Sequence, residues 1–259
     1  MLTQLQASDA WDRVLLVSDL HLHAGDPATA QTWHEQLLHS DASALIVLGD
    51  YFDLWVGDDL LSPKAGLSEA DQVAVSFWQM CARQLRTAAE LRPIYWMVGN
   101  RDFLVGEAFA QATGVQLLTD PCCLQWGEQR WLLSHGDAWC SSDTAYQAFR
   151  QTVRSPAWQQ TFLSLPLSER LAQGRAMRER SQAHQQQQRV HTDVVPAEVL
   201  AAMTNAQASN VIHGHTHQGR SFALGQGMRH VLSDWDATAH PPRTAGLWVS
   251  AQGVHSAVM

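Results

Sequence analysis

Seven side chains of this sequence have the types and the spacing to hold metal ions. Asp19 and His21 stand two apart, and so do His215 and His217. On an extended chain, residues two apart project to the same face, so each pair can present two donors to one point. Asp50 follows a glycine and carries two carboxylate oxygens, enough to bridge a pair of cations. Asn100, also preceded by glycine, adds a neutral amide oxygen, and His135 adds another imidazole. A donor set of oxygen and nitrogen without thiolate suits manganese, iron, zinc or cobalt. Two divalent cations held this way can polarise a phosphoryl oxygen and acidify a water molecule. Hydrolysis of a phosphoanhydride or phosphoester is therefore the chemistry to expect.

Such donors need a scaffold that brings distant segments together. Five short apolar runs precede them: VLLV (14–17), ALIVL (44–48), IYWMV (94–98), WLL (131–133) and VI (211–212). Their brevity and their β-branched and aromatic content predict buried strands. Each leads into a candidate donor: SDLH after the first, then GD, GNRD, HGD and HGHTH. In open α/β sheets, ligands collect outside the carboxyl ends of strands. Glycine there permits the sharp turns that bring the ends to one point. One polar turn after one strand means little, whereas five in succession point to a site. Residues 70–91 predict a helix, with apolar residues at Val73, Phe77, Met80, Cys81, Leu85 and Ala88 and with Pro93 beyond its end. Hairpins are expected over 125–130 and 222–232, and two further strands over 246–258. The pattern predicts an α/β fold of two packed sheets covered by helices.

The stretch 143–189 has no strand pattern. Apolar residues recur at Tyr146, Phe149, Val153, Trp158, Phe162, Leu163, Leu165, Leu167, Leu171 and Met177. Within 150–189, seven arginines stand against two acids, in a chain of formal charge −8 whose one lysine is Lys64. This reads as a helical insertion over the strand ends of a single domain spanning 1–259. The alternative is an ordinary helical hairpin with a solvated face.

Composition narrows the classes. An apolar fraction of 46% suffices for a sizeable core. The net charge argues against a general nucleic-acid binder, but not against an anionic substrate held by local charge and metal. Thirteen histidines are many for 259 residues and fit a metal protein. Cys81, Cys122, Cys123 and Cys140 show no CxxC spacing and are expected to be free thiols of a cytosolic protein. The first residues have neither the basic nor the apolar region of a signal peptide, and no run suggests a spanning helix. Asp53, Asp102 and Asp137 read as acids that orient ligands or form turns. His23, His184, His191 and His213 read as structural, and Trp55, Trp96 and Trp131 as core residues.

The strings DLH, GDYFD, GNRD, HGD and GHTH, in this order, resemble the calcineurin-like metallophosphoesterases. The resemblance implies a two-sheet αββα sandwich and a dinuclear centre. Asp19, His21, Asp50 and His217 would hold one ion, and Asp50, Asn100, His135 and His215 the other. Asp50, Asn100, Arg101 and His135 would form the catalytic set. At 101 the chain departs from the wider family, which has histidine after the asparagine. Arginine stays charged and cannot act as a general acid, but it can clamp phosphate oxygens. That favours a leaving group needing little protonation, such as a phosphate.

Longer strings resemble one branch of that family, the hydrolases of UDP-2,3-diacylglucosamine in lipid A biosynthesis. They are LGDYFDLWVGDD (48–59), GNRDFL (99–104), HGDAWCSSDTAYQAFR (135–150), LPLSER (165–170) and IHGHTH (212–217). The branch implies water attack at the α-phosphorus, giving UMP and 2,3-diacylglucosamine 1-phosphate. It also implies two manganese ions and a cytoplasmic enzyme bound peripherally at the inner membrane of a Gram-negative bacterium, with no nucleic-acid or protein partner. Substrate contacts carried over are Asn100, Arg101, Asp143, Ser181, Gln185, Gln188 and His215. The branch often has asparagine and lysine where this chain has Gln185 and Gln188. Gln188 lacks a lysine's charge, which Arg189 could replace. A soluble nucleotide pyrophosphatase of the same fold would share the metals and Arg101 but would not need an apolar, arginine-rich insertion. A non-catalytic scaffold would have no need of all seven donors.

Overall fold

Strands that are apolar along their whole length must be covered on both faces. β2 (Val14–Val17) and β3 (Ala44–Leu48) are such strands, buried at every position. The computed structural model describes residues 2–63, 66–187 and 193–258. One sheet has the order β12 (Gly253–Val258), β11 (Ala245–Ser250), β2, β3, β4 (Ile94–Met97), β5 (Gln116–Leu118). The other runs β1 (Thr3–Gln6), β6 (Cys122–Trp126), β7 (Gln129–Ser134), β8 (Asn210–His213), β10 (Gly227–Val231), β9 (Arg220–Leu224). From β2 to β5 the pairing is parallel, and so is β7 with β8.

Alternation along the strands sorts the core into layers. Leu15, Val17, Leu45, Val47 and Trp96 face α1 (Pro27–His39) and α2 (Glu69–Leu91), packing with Trp33, Leu37, Val75 and Leu85. Val14, Leu16, Ile46, Leu48 and Met97 face the second sheet and meet Leu124, Trp131, Leu133 and Ile212. Beyond that sheet, Leu132 and Val211 pack under Val199 and Met203 of α7 (Pro196–Ala206). Each such side chain contributes about 1.5–3 kcal/mol on full burial. The result is helix, sheet, sheet, helix, the expected sandwich. Trp55, Trp96 and Trp131 are fully buried, and all four cysteines are free and buried.

The expected elements form where the local signals place them. α2 starts at Ser68, whose hydroxyl accepts from Asp71 N at 3.2 Å, and it stops just before Pro93. Both hairpins are present, β6–β7 and β9–β10. α3 (Glu107–Thr113) connects β4 to β5 and ends on Gly114 in the left-handed region.

Residues 144–187 carry three helices: α4 (Thr144–Val153), α5 (Pro156–Leu163) and α6 (Leu167–Gln187). Asp143 caps α4 and Ser155 caps α5, followed by Pro156 at the first helical position. α6 is fastened along one face, because Arg170, Gly174 and Arg178 recur every four residues. Buried Arg170 donates to Val56 O at 2.5 Å and to Leu165 O at 3.1 Å, and it pairs with Asp59. A Cβ on Gly174 would lie 2.8 Å from Leu54 Cδ1 and 2.9 Å from Val56 Cγ1. Glycine in mid-helix costs roughly 1 kcal/mol against alanine, and here it permits that close approach. Arg178 pairs with Asp53, and Arg175 with Asp71 of α2.

Candidate metal centre

β2 leads into Asp19 and His21, β3 into Asp50, β4 into Asn100, β7 into His135, and β8 into His215 and His217. Three of these strands belong to one sheet and two to the other, so the donors meet at the seam between sheets. The backbone makes the turn by leaving its ordinary conformations. Asp19 (φ 56°), His21 (47°), Asp50 (53°), His215 (65°) and His217 (52°) all lie in the left-handed region. Each such residue costs on the order of 1–3 kcal/mol, and such strain gathers at functional sites. Glycine serves where loops touch. A Cβ on Gly49 would lie 2.6 Å from Gly99 Cα and 2.7 Å from His135 Nδ1.

The donors fall into two groups. His217 Nε2 is 3.1 Å from Asp19 Oδ1 and 3.5 Å from His21 Nε2. Asn100 Oδ1 is 2.9 Å from His135 Nε2 and 2.8 Å from His215 Nδ1. Asp50 stands between the groups, with Oδ1 3.7 Å from His135 Nε2 and Oδ2 4.0 Å from His21 Nδ1. Asp19, Asp50 and His135 are buried, whereas the His21 and His217 side chains are 24% and 37% exposed. Asn100 and His215 are partly buried, so the group with exposed His217 is the more open half of the centre and the group around buried His135 the more closed half.

Hydrogen bonds hold the donors in place. His135 Nδ1 sits 2.8 Å from Leu48 O. A carbonyl only accepts, so Nδ1 carries a proton in either charge state, and Nε2, which faces Asn100 and Asp50, is the nitrogen that can bind a cation once its own proton leaves. Asp19 Oδ2 accepts from His215 N at 2.9 Å and from Ser18 Oγ at 2.6 Å. Asp102 accepts from the backbone N–H of Gly99 (2.7 Å), Tyr51 (3.0 Å) and Asp50 (3.3 Å), tying two donor loops together. Asp137 accepts from Tyr146 Oη at 2.6 Å and Arg150 Nε at 2.8 Å. Asp53 pairs with Arg178.

Do these residues fit metal ions? Asp19 Oδ1 and His21 Nδ1 are buried with no hydrogen-bond partner, which is costly unless something else satisfies them. Charge points the same way. Burial, reinforced by Asp102 and Asp19, pushes the Asp50 carboxyl up to about 7. Burial opposes charge on His135, but Asp50, Asp19 and Asp137 outweigh it and push the imidazole up to about 9. Burial, then the neighbouring His135, pulls His215 down to about 3, which leaves it neutral with a free lone pair. A cluster that holds protons on a carboxylate and an imidazole is short of positive charge. Divalent cations supply that charge, and the oxygen–nitrogen donor set suits them.

A cavity of about 780 Å³ opens from the donors. Asn100, Arg101, His215 and His217 line one part, and Phe103, Phe149, Trp158, Phe162 and Met177 another. Asp143 and Ser181 line it as well. The structure thus brings together all seven candidate metal donors and places Arg101, Asp143 and Ser181 in the adjoining cavity. Asp143 has a second duty, since its carboxylate caps α4 at Tyr146 N, 2.9 Å away. Gln185 lies in α6, but its side chain falls outside the described atoms, as does that of His184. Gln188, Arg189 and His191 lie outside the described residues. His213 is buried against Gly214 O at 2.8 Å, and burial pulls it down to about 4, as befits a neutral structural group. His23 accepts from Gly25 N in a local turn.

Sequence reasoning gave no role to Arg154 or to the hydroxyl of Tyr146. Tyr146, Arg150 and Arg154 recur every four residues, the spacing of one helix face. That stripe, read beside Asp137 of the HGD string, was the available signal.

The family model for calcineurin-like phosphoesterase matches residues 12–219. The chain is similar to the UDP-2,3-diacylglucosamine hydrolase of Bordetella parapertussis, 40% identical over 92% of each chain. It is also similar to the protein of the same name from Chromohalobacter salexigens, 41% identical over 85% of this chain and 88% of that one. Among solved structures, an archaeal phosphodiesterase aligns over 95% of this chain and 99% of its own, at 10% identity and a TM-score of 0.45. The motif order read from the sequence, the sandwich that carries it and the span of the family match agree: the chain belongs to the calcineurin-like phosphoesterases.

Proposed function

We propose that this chain hydrolyses the pyrophosphate bond of UDP-2,3-diacylglucosamine, with water attacking the α-phosphorus. The observation that carries this reading is one continuous cavity in which the metal-type donors adjoin an apolar wall from α4–α6. Relatives about 40% identical over nearly the whole chain bear the name of that activity. A substrate with two acyl chains and a diphosphate needs both parts of such a cavity.

In this reading Asp19, His21, Asp50 and His217 hold one divalent ion, and Asp50, Asn100, His135 and His215 hold the other, with manganese the expected metal. When bound, the ions supply positive charge to the phosphoryl oxygens and lower the pKa of water. The chain's own groups do the rest. Asp102 fixes the loops that carry Asp50 and Asn100. Arg101, held by a hydrogen bond from its N–H to Asp50 Oδ1 at 2.7 Å, offers its guanidinium to the phosphate oxygens and stabilises charge that develops there. The new bond joins the water oxygen to the α-phosphorus. The bond from that phosphorus to the bridging oxygen breaks, and the oxygen leaves with the sugar phosphate. A phosphate leaving group needs little protonation, which suits an arginine at 101. Asp143 and Ser181 bind the glucosamine part.

The helices of 144–187 act as a cap that takes the acyl chains. Phe149 and Leu163, 41% and 43% exposed on α4 and α5, present apolar surface beside the arginines of the same segment. That combination supports peripheral binding at the anionic cytoplasmic face of the inner membrane. No helix among the described residues is long and apolar enough to cross a membrane. Turnover in ¹⁸O-water tests the reaction: the label is expected in UMP, and label in the sugar phosphate instead would overturn attack at the α-phosphorus.

A further inference from the structure

α4 touches three donor-bearing loops, in each case beside a donor of the closed half of the metal centre. Asp137, two residues after His135, is fully buried and accepts from Tyr146 Oη and Arg150 Nε. Arg154, at the C-terminal end of the helix, lies 3.5 Å from the same carboxylate. Its guanidinium also donates to Gly99 O at 2.9 Å. That carbonyl shares a rigid peptide plane with the N–H of Asn100, so fixing it fixes the direction from which the Asn100 side chain sets out. The Tyr146 ring stacks on His215, with centroids 5.8 Å apart and planes at 29°. Gln147 Nε2 donates to Asp137 O at 2.8 Å and fastens the HGD turn from a fourth side.

The open half is held differently. Among the described residues, the hydrogen-bond and ion-pair partners of the Asp19, His21 and His217 side chains are Ser18, Asp50, the His215 backbone and one another. Each belongs to a strand end, and none comes from 144–187. One insertion helix therefore supports one half of the centre.

We propose that Asp137, with Tyr146 and Arg150 of α4 and Arg154 at its C-terminal end, is the positioning unit for Asn100, His135 and His215, so that the seating of α4 governs occupancy of the closed half before that of the other. Groups that orient ligands from behind typically change metal affinity 10–100-fold when removed, by way of roughly that much lost preorganisation. Here the loss falls on one ion of two. It also couples the cap to the centre, because whatever shifts α4 acts directly on three donors of one metal and reaches the other three only at second hand, through the His215 N–H on Asp19 Oδ2 and the loop shared with His217.

The inference rests on the two-metal reading but not on the identity of the substrate. The test counts manganese bound by the full chain after metal stripping, using calorimetric titration and the electron paramagnetic resonance spectrum of the bound ions. Wild-type protein is expected to hold two ions with a spin-coupled spectrum. Arg154→Met should weaken one of them about tenfold or more and leave the spectrum of an isolated ion. Tyr146→Phe, which removes only a hydroxyl, should shift affinity the same way by less. Arg154→Lys should restore part of it, since an ammonium can still donate to Gly99 O. Arg175→Met breaks the contact of α6 with α2 and should keep both ions. Adding His217→Ala to Arg154→Met should remove the remaining ion. Retained binding of one ion also shows that Arg154→Met is folded; should it not fold, the Tyr146→Phe titration decides the matter. Equal weakening of both ions, or two ions held unchanged, overturns the inference alone. A wild-type count of one overturns the two-metal reading and the inference with it.

Discussion

The floor of the cavity and its helical wall differ in how they hold side chains. On the floor, Asp19, His21, Asp50, His215 and His217 sit on left-handed backbone, and Gly49 and Gly99 let the loops touch. α4, α5 and α6 contain no residue with positive φ among those described. They place long side chains on ordinary helix and fasten them by ion pairs: Arg150 with Asp137, Arg170 with Asp59, Arg175 with Asp71 and Arg178 with Asp53. Strained backbone with short buried donors fixes atoms closely and tolerates little change. Helices with long side chains define a shape that can vary. The floor is suited to the reaction and the apolar part of the wall to choosing what reacts, while the polar face of α4 serves the floor.

Substitutions can break that division or sharpen it. Asp50→Ala is expected to abolish turnover, roughly a thousandfold or more in kcat, because both half-sites lose a shared donor. Near-normal steady-state rates in this variant would break the account of the floor. Arg101→Ala should lower kcat on the order of a hundredfold and raise KM much less, through lost stabilisation of developing charge. A defect in KM alone would move Arg101 from the floor's function to the wall's. Trp158 stacks on Phe162, centroids 4.6 Å apart, and lines the cavity. Trp158→Ala should raise KM for the acylated substrate about tenfold by removing apolar contact, with kcat little changed. An equal fall in kcat would show that the apolar part of the wall also sets the chemistry.

The smallest effect concerns how the wall is fastened. Burial raises the Asp71 carboxyl, but the Ser68 hydroxyl and Arg175 outweigh burial and hold it below its usual range. A carboxylate depressed in the folded state stabilises above its unfolded pKa, near 4, and that contribution disappears as pH falls through the folded value. Arg175→Met should therefore lower Tm by about 2 °C at pH 7, and the gap to wild type should close below about pH 4. A gap that persists in acid would mean that Arg175 acts through packing rather than charge.

How much of this was legible in the sequence follows from the same contrast. The floor could be read because donor type and spacing survive in one dimension: DxH, GD, GN, HGD and HxH each follow an apolar run. The left-handed backbone beneath them could not, since aspartate and histidine adopt either sign of φ. Buried strands announced themselves as unbroken apolar runs, whereas β1, with one buried residue in four, and the three-residue β5 were too short and too exposed to show a pattern. For the wall, apolar recurrence predicted helices, but α6 has arginines on several sides, and its burial is not readable from periodicity. Which acids face which arginines is a tertiary fact. So is the double use of Asp143, expected as a substrate contact and found also as the cap of α4. For Asp102 and Asp137 the sequence leaves orienting acids and turn formers as alternatives; their hydrogen bonds to donor loops and to α4 favour the first.

The central claim is that the floor hydrolyses while the wall selects an acylated substrate. The most direct measurement compares UMP release by metal-stripped protein, resupplied with manganese, from UDP-2,3-diacylglucosamine and from UDP-N-acetylglucosamine, which lacks the long acyl chains. The account predicts fast release from the acylated substrate and little from the other. Equal or faster cleavage of the unacylated nucleotide would contradict it, leaving the metal chemistry intact and making the protein a soluble nucleotide pyrophosphatase.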